Sequence, residues 1–207
     1  MELLKNPRLI GNEPPEITGW LHFRTYVSGQ LIEDAFHVRI TFPGDYPNSW
    51  PEVTEISGMI PRTFHRNPGQ DAPLCLGANI DILRIFSKDR TIENFTLRIL
   101  TPYLVAYAYF KEYGGVPDGE RSHGAEGVLE SYREIFSHAS VQGIVDFLKW
   151  CQDHRTYRGH LTCPCPNRYR LRKCREQKCE FSKSIGLLQS MHKLRLKEDI
   201  EQLSLLL

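Results

Sequence analysis

Apolar and polar side chains alternate along the first third of the chain. Residues 17–24 and 31–42 are both β-rich, and a turn at 27–30 separates them. In the second stretch the apolar positions alternate with polar ones and are Phe36, Val38, Ile40 and Phe42. This period of two predicts an antiparallel hairpin with one half-buried face. Residues 52–57 are predicted to return as a third strand.

The middle of the chain changes to a helical period. Apolar residues recur at three- and four-residue steps from Thr91, a predicted N-cap, to Gly114. We expect the main core helix there. Pro102 should kink or split it, because proline removes a backbone hydrogen bond. Residues 79–88 are apolar but aperiodic, and they predict no defined element.

Three further helical patterns follow. Residues 125–136 and 141–152 predict two short helices, and Cys151 falls on the apolar face of the second. Residues 184–207 predict a C-terminal helix whose apolar stripe packs on its own domain or on a partner. Strands followed by helices give an α+β fold class.

Composition places the chain among folded cytoplasmic proteins. Its 207 residues are 41% hydrophobic and carry a net charge of +1, which argues against a protein that coats nucleic acid or a membrane. No stretch reaches the ~20 apolar residues of a membrane span, and the start lacks a signal-peptide apolar region. We therefore expect a cytoplasmic protein without a membrane partner.

One cysteine stands in a proline- and glycine-rich stretch, residues 65–77. His65 and Asn67 precede it, and Cys75 follows the asparagine by eight residues. A thiol on an irregular loop beside imidazole and amide groups could be a nucleophile. It could also be a small buried apolar residue, the commoner fate of a free cysteine.

The stretch 42–51 contains Phe-Pro-x-x-Tyr-Pro-x-x-x-Pro. Alone, it predicts a stiff crossover in which Tyr46 and Trp50 are packing aromatics. Together with the His-x-Asn to cysteine spacing and the strand meander, it resembles the ubiquitin-conjugating enzyme family over residues 17–136. The resemblance implies an antiparallel β-meander flanked by helices.

The closest resemblance within that family is to bacterial ubiquitin-conjugating-like proteins of anti-phage defence operons that encode cyclic-oligonucleotide synthases. Gly77 stands where eukaryotic members usually carry an acidic residue, and Ile-Phe-Ser-Lys at 85–88 replaces their Trp-Ser-Pro. The N-terminal helix on which eukaryotic members dock partners is reduced to residues 1–6 at most.

The resemblance implies a cysteine acyltransferase. Cys75 would carry the C-terminus of a protein as a thioester and pass it to an amine. Asn67 would stabilise the oxyanion or only tie down the loop, and His65 would be structural rather than a base. His123 could help deprotonate the acceptor amine, or it could be only a solvated loop histidine.

The implied partners are an activating-type enzyme and a cyclic-oligonucleotide synthase as the carried protein, with a ubiquitin-like protein as the alternative. Two other functions remain open. The fold could be a non-catalytic binding or adaptor module, or a scaffold for the basic segment described next.

Four of the six cysteines fall within one basic segment. Residues 155–183 contain nine Lys or Arg and two acidic residues, and the clustered cysteines are Cys163, Cys165, Cys174 and Cys179. In a reducing cytosol this pattern indicates a metal site sooner than disulfides. Four reduced thiols on a flexible loop are the alternative.

The Cys-x-Cys pair and the later Cys174 resemble the small zinc motif at the C-terminus of the protein-export ATPase SecA, which implies structural zinc. Arg175 occupies the place of the motif's fourth ligand, so Cys179, or less favourably His160, must complete a tetrahedral site. The cations could bind the nucleotide synthase, another acidic partner or nucleic acid, or be only solvated. Nucleic acid is not the favoured partner.

These observations predict three parts. Residues 1–153 would be the ubiquitin-conjugating-like domain, 154–183 the zinc-knuckle-like segment and 184–207 the terminal helix.

Overall fold

The fold is α+β, as predicted. A computed structural model describes residues 14–65, 72–116 and 122–207 together with the backbone of 5–10. The chain divides into two compact units, Met1–Gly77 with Lys88–Glu120 and Ala78–Ser87 with Arg121–Leu207. These boundaries differ from the ones expected at 153 and 183, because residues 78–87 and 121–207 belong to one unit.

The first unit contains a four-stranded antiparallel sheet. Its strands follow chain order and are β1 (Lys5–Ile10), β2 (Glu16–Val27), β3 (Gln30–Thr41) and β4 (Glu52–Glu55). The three predicted strands are confirmed. Strand β1 was not predicted, and Lys5 and Asn6 lie in it rather than in a helical turn. The pairing register shifts between Lys5 and Arg8, around Pro7, because proline cannot donate to a ladder and is confined to edges or bulges.

The β2–β3 hairpin follows the predicted alternation. Its turn places Ser28 and Gly29 at positive φ, as a two-residue hairpin turn that matches strand twist requires. The alternating side chains Phe36, Val38 and Ile40 are fully buried. The alternation of apolar and polar residues in β3 therefore identifies the face of the sheet that packs in the core.

Within the described ranges, eight α-helices come after β4 along the chain. They are α1 (Asn79–Phe86), α2 (Ile92–Phe95), α3 (Thr101–Tyr113), α4 (Gly124–Arg133), α5 (Val141–Asp153), α6 (Leu171–Glu176), α7 (Glu180–Ser190) and α8 (Lys193–Ser204). Helix α3 packs on β2 and β3. No helix in the described ranges is long and apolar enough to cross a membrane.

The predicted core helix runs through Pro102 without a break in helical structure. The Thr91 hydroxyl accepts from the Asn94 N–H (3.1 Å), as expected of an N-cap, and Gly114 ends the helix in the left-handed conformation. Of the two expected effects of Pro102, a kink or a split, the split does not occur. A π-helical turn, Thr96–Leu100, lies between α2 and α3. Its wider hydrogen-bond spacing lets the helix continue past Pro102, which has no N–H to donate to the preceding turn.

The second unit consists of helices α1 and α4 to α8. The predicted short helices α4 and α5 are confirmed, and Cys151 is fully buried in the core. The predicted terminal helix is two helices, α7 and α8, separated at Met191 and His192. Both pack on α5 of their own unit.

Candidate thiol site and candidate metal centre

The residue before Cys75, Leu74, pairs with the edge strand β4. The Leu74 N–H donates to the Val53 carbonyl oxygen (2.7 Å), and the Cys75 N–H donates to the His65 carbonyl oxygen (2.8 Å). The Leu74 side chain is buried, whereas Cys75 is exposed. Backbone pairing therefore fixes the main chain at Cys75 while the thiol faces solvent.

Helix α3 supplies a second anchor for the same loop. The Tyr103 hydroxyl donates to the carbonyl oxygens of Phe64 (3.2 Å) and His65 (3.1 Å). The Phe64 ring is buried and lies edge-on to the Tyr103 ring, with centroids 5.8 Å apart. One carbonyl, that of His65, thus receives both the Cys75 N–H and the Tyr103 hydroxyl.

Gly77, two residues after Cys75, has a backbone conformation that favours glycine. Its φ is +139°, a value that residues with a Cβ rarely adopt. An aspartate at this position would be strained even though open space surrounds the glycine.

The roles expected of the side chains around Cys75 stay predictions. Asn67 lies outside the described residues. His123 is an exposed residue immediately before α4, and it belongs to the second unit. His65 contacts Cys75 through its backbone carbonyl, which does not test the structural role expected of its side chain.

Cys151 offers a contrast to Cys75. Burial raises the pKa of the Cys151 thiol to about 12, although Arg155 acts in the opposite direction. The thiolate is the reactive form of cysteine. Cys151 is therefore inert in the folded chain.

The tyrosine of the crossover is a packing residue. The Tyr46 ring lies edge-on to Phe42, with centroids 4.9 Å apart, and its hydroxyl donates to the Arg90 carbonyl oxygen (3.2 Å). Trp50 is buried. Both aromatics thus hold the crossover in place, as its sequence predicts.

The four clustered cysteines meet in the second unit. An isolated antiparallel bridge pairs Thr162 with Arg170 and brings Cys163 and Cys165 onto one small hairpin. Cys174 projects from α6, and Cys179 immediately precedes α7. The hairpin thus supplies two of the cysteines, α6 the third and the residue before α7 the fourth.

The sulfur positions fit a small cation. All four Sγ atoms lie within 4.8 Å of one another, and those of Cys165 and Cys174 are 3.6 Å apart. A tetrahedron with ~2.3 Å zinc–sulfur bonds has edges of about 3.8 Å. The cluster could therefore hold a metal ion with only small adjustments. His160 is exposed and is not part of it.

The surroundings stabilise a thiolate at one of these cysteines. Burial raises the pKa of the Cys165 thiol, but hydrogen bonds from Cys163 and Cys174 and from the backbone N–H groups of Arg168 and Asn167 outweigh this and lower it. Burial raises the pKa of Cys163 and Cys174. A bound cation would favour the thiolate form of all four.

Sequence reasoning missed the Tyr103 anchor. Its apolar period marks Tyr103 only as a core position of the main helix, and nothing local indicates where its hydroxyl points. The 39- and 38-residue separations from Phe64 and His65 place this contact beyond any local pattern.

Comparison of the chain with models of known protein families, with curated proteins and with solved structures gives no match.

Proposed function

We propose that the chain is a ubiquitin-conjugating-type cysteine acyltransferase. The observation that carries this proposal is the exposed Cys75 thiol on a main chain fixed by the Leu74 and Cys75 N–H groups. The family resemblance adds the spacing of His65, Asn67 and Cys75. Acyl transfer needs a reachable sulfur in a fixed place, because its partner is the end of another protein.

The proposed acyl transfer has two steps, a thioester exchange and an aminolysis. The Cys75 thiolate attacks the acyl carbon of a thioester on an activating enzyme, forms a new carbon–sulfur bond and releases the enzyme's thiolate. An amine then attacks the same acyl carbon, loses a proton to a base or to water, and expels the Cys75 thiolate as the amide forms. By the resemblance, the carried protein is a cyclic-oligonucleotide synthase and the setting is antiviral defence.

We further propose that the cluster of Cys163, Cys165, Cys174 and Cys179 holds structural zinc. An all-thiolate set suits zinc. Four protein ligands close a tetrahedral ion and leave no position for substrate. The ion would join the hairpin at residues 162–170 to helices α6 and α7.

The test is recovery of the acyl intermediate. The tagged full-length chain is purified from its native cells under acidic, non-reducing conditions, and its intact mass is measured before and after addition of a thiol. We expect a protein-sized adduct on wild type that the thiol removes. Cys75→Ser should carry the adduct as an oxygen ester that resists the thiol, because an alkoxide is a poorer leaving group than a thiolate.

Cys151→Ala is the matched control, because it removes a buried thiol and leaves Cys75 in place. It should retain the adduct, and Cys75→Ala should lose it. If Cys75→Ala keeps full biological activity, the binding-module function replaces this proposal. If the adduct proves to be a small modifier, the ubiquitin-like alternative replaces the synthase.

A further inference from the structure

Residues 155–183, which contain the four clustered cysteines and which we call the cysteine segment, expose a dense group of cations. We call the knuckle surface the seven residues Arg158, Arg168, Arg170, Arg172, Lys173, Arg175 and Lys178, all of them exposed. Within the part of the chain that the structure describes, none forms an ion pair. Several cations elsewhere do form ion pairs, for example Arg24 with Glu33 (3.4 Å) and Arg84 with Glu134 (3.0 Å). The knuckle surface thus leaves its charge available to a partner.

A bound metal does not account for this charge. Residues 155–183 carry nine basic and two acidic side chains, a surplus of seven positive charges. Four thiolates with one divalent cation contribute a net charge of minus two. A surplus of five positive charges remains, so the cations exceed what a metal–thiolate centre would neutralise.

The chemistry of the surface favours phosphates. Five of the seven cations are arginines, whose planar guanidinium groups bind phosphate oxygens in pairs. Arg170 is the residue before α6, and Lys173 and Arg175 lie in the last turn of that helix. Short, exposed elements rich in arginine are typical of proteins that bind nucleic acid.

Two tyrosines are interleaved with these cations. Tyr169 is 43% exposed, and the Lys173 ammonium lies 4.2 Å from its ring centroid. The Arg175 guanidinium carbon lies 5.5 Å from the ring centroid of Tyr157. An exposed ring beside cations offers a stacking platform for an unpaired base, which a duplex or an acidic peptide cannot use in the same way.

We infer that the knuckle surface binds single-stranded nucleic acid, with phosphates on the arginines and a base stacked on Tyr169. This inference is independent of the proposed acyl transfer, since Cys75 takes no part in it. It also reverses the sequence-based preference against nucleic acid, which rested on the near-neutral net charge of the whole chain.

The experiment measures binding by fluorescence anisotropy with the full-length protein. The probes are a single-stranded RNA and a single-stranded DNA of about 12 nucleotides, the matching duplex, a polyglutamate peptide and vesicles containing anionic phospholipid. Salt is varied between about 50 and 200 mM. We expect single strands to bind with a steep salt dependence and the peptide and vesicles to bind at least about tenfold more weakly.

Charge reversal tests the phosphate contacts. Arg170→Glu/Arg175→Glu should weaken single-strand binding about tenfold or more and flatten the slope of log K against log salt by about 1.4. Lys149→Glu/Lys193→Glu is the matched control, because both lysines are exposed in the same unit outside the knuckle surface. Equal losses in the two double variants would overturn the inference.

The tyrosine tests stacking. Tyr169→Leu should weaken single-strand binding at least about fivefold and leave duplex binding unchanged, whereas Tyr169→Phe should bind like wild type. Metal content and unfolding temperature establish that each variant is folded. Absence of single-strand binding at low salt, or tighter binding of the peptide or vesicles, would contradict the inference and assign the surface to that other partner.

Discussion

The carbonyl oxygen of His65 receives two hydrogen bonds, from the Cys75 N–H (2.8 Å) and from the Tyr103 hydroxyl (3.1 Å). The bond from the Cys75 N–H holds the cysteine backbone against His65. The bond from the Tyr103 hydroxyl holds the His65 carbonyl in place. Tyr103 is therefore a positioning residue under the proposed function.

Tyr103→Phe removes the hydroxyl and keeps the ring. We expect the free energy of unfolding to fall by about 1 kcal/mol, the typical net value of such a bond, and adduct formation on Cys75 to slow. Alkylation of Cys75 by a small reagent should keep its rate, because the thiol is already exposed. Urea unfolding and timed intact-mass measurements check these outcomes.

Tyr109→Phe is the control on the same helix. The Tyr109 ring packs on Tyr113, and its hydroxyl forms no hydrogen bond to the part of the chain that the structure describes. Equal effects of the two substitutions on adduct formation would refute the positioning role of Tyr103.

A second residue of interest is Asp199, a buried carboxylic acid on α8. It accepts hydrogen bonds from the Tyr132 hydroxyl (2.7 Å) and the Asn79 amide (2.8 Å). Burial raises the pKa of Asp199 to about 6, and these two hydrogen bonds act in the opposite direction. Because this pKa lies above the unfolded value near 3.9, protonated Asp199 favours the folded state.

The sign of the pH dependence follows. The stabilising contribution is complete below about pH 4 and is lost as the pH rises through about 6. Asp199→Asn cannot ionise, so its stability relative to wild type should rise by up to about 3 kcal/mol between pH 4 and 7. Urea unfolding at several pH values measures this, with the exposed Asp153→Asn as control. Parallel pH profiles for wild type and Asp199→Asn would contradict the expectation.

Among the elements, those around the clustered cysteines have little regular backbone structure of their own. The hairpin bridge is a single pair, and α6 spans only Leu171–Glu176. Helices this short are not stable on their own. The thiols of Cys163, Cys165 and Cys174 are buried together, so a metal ion would supply the stabilisation that the local structure lacks.

Cys165→Ser should reduce bound zinc from about one ion per chain to none. It should also lower the unfolding temperature by about 10 °C, the equivalent of roughly 3 kcal/mol for a chain of this size. Metal analysis by mass spectrometry and thermal unfolding check both results. Cys75→Ser is the control and should change neither. Retention of the metal by Cys165→Ser would remove that cysteine from the ligand set.

Element boundaries were predicted best where local signals are strong. The Thr91 N-cap, the left-handed Gly114 and the Ser28–Gly29 turn all fall where the sequence indicates. Helix α1 was missed although its buried positions Ile80, Leu83 and Phe86 recur at three-residue steps. The helix has only eight residues, and in so short an apolar run the period does not separate a helix from a buried strand.

At the scale of the whole molecule, the two units differ from the predicted domains. Phe181 of α7 lies against Phe147 of α5 (4.8 Å between centroids) and against Phe136 (5.1 Å). The cysteine segment and the terminal helices therefore share a core with α5, instead of forming appendages after residue 153.

Hydrogen exchange during zinc removal tests this division. With a chelator, amide exchange should rise in α6 and α7 and spread into α5 through the Phe181 contacts, while the β2–β3 amides keep their protection. The same chelator added to Cys165→Ser, which should already lack the metal, is the control. An increase confined to residues 154–183 would favour the domain boundaries predicted from the sequence.

Local sequence patterns suffice to predict the α+β class, the hairpin, the capped core helix and the set of cysteines that meet, because alternation, caps and ligand spacing act over a few residues. Four features follow only from tertiary packing: the edge strand β1, helix α1, the choice of Cys179 over His160 in the cluster, and the Tyr103 anchor. Each of these depends on which distant side chain occupies the neighbouring space, and sequence spacing does not encode that proximity.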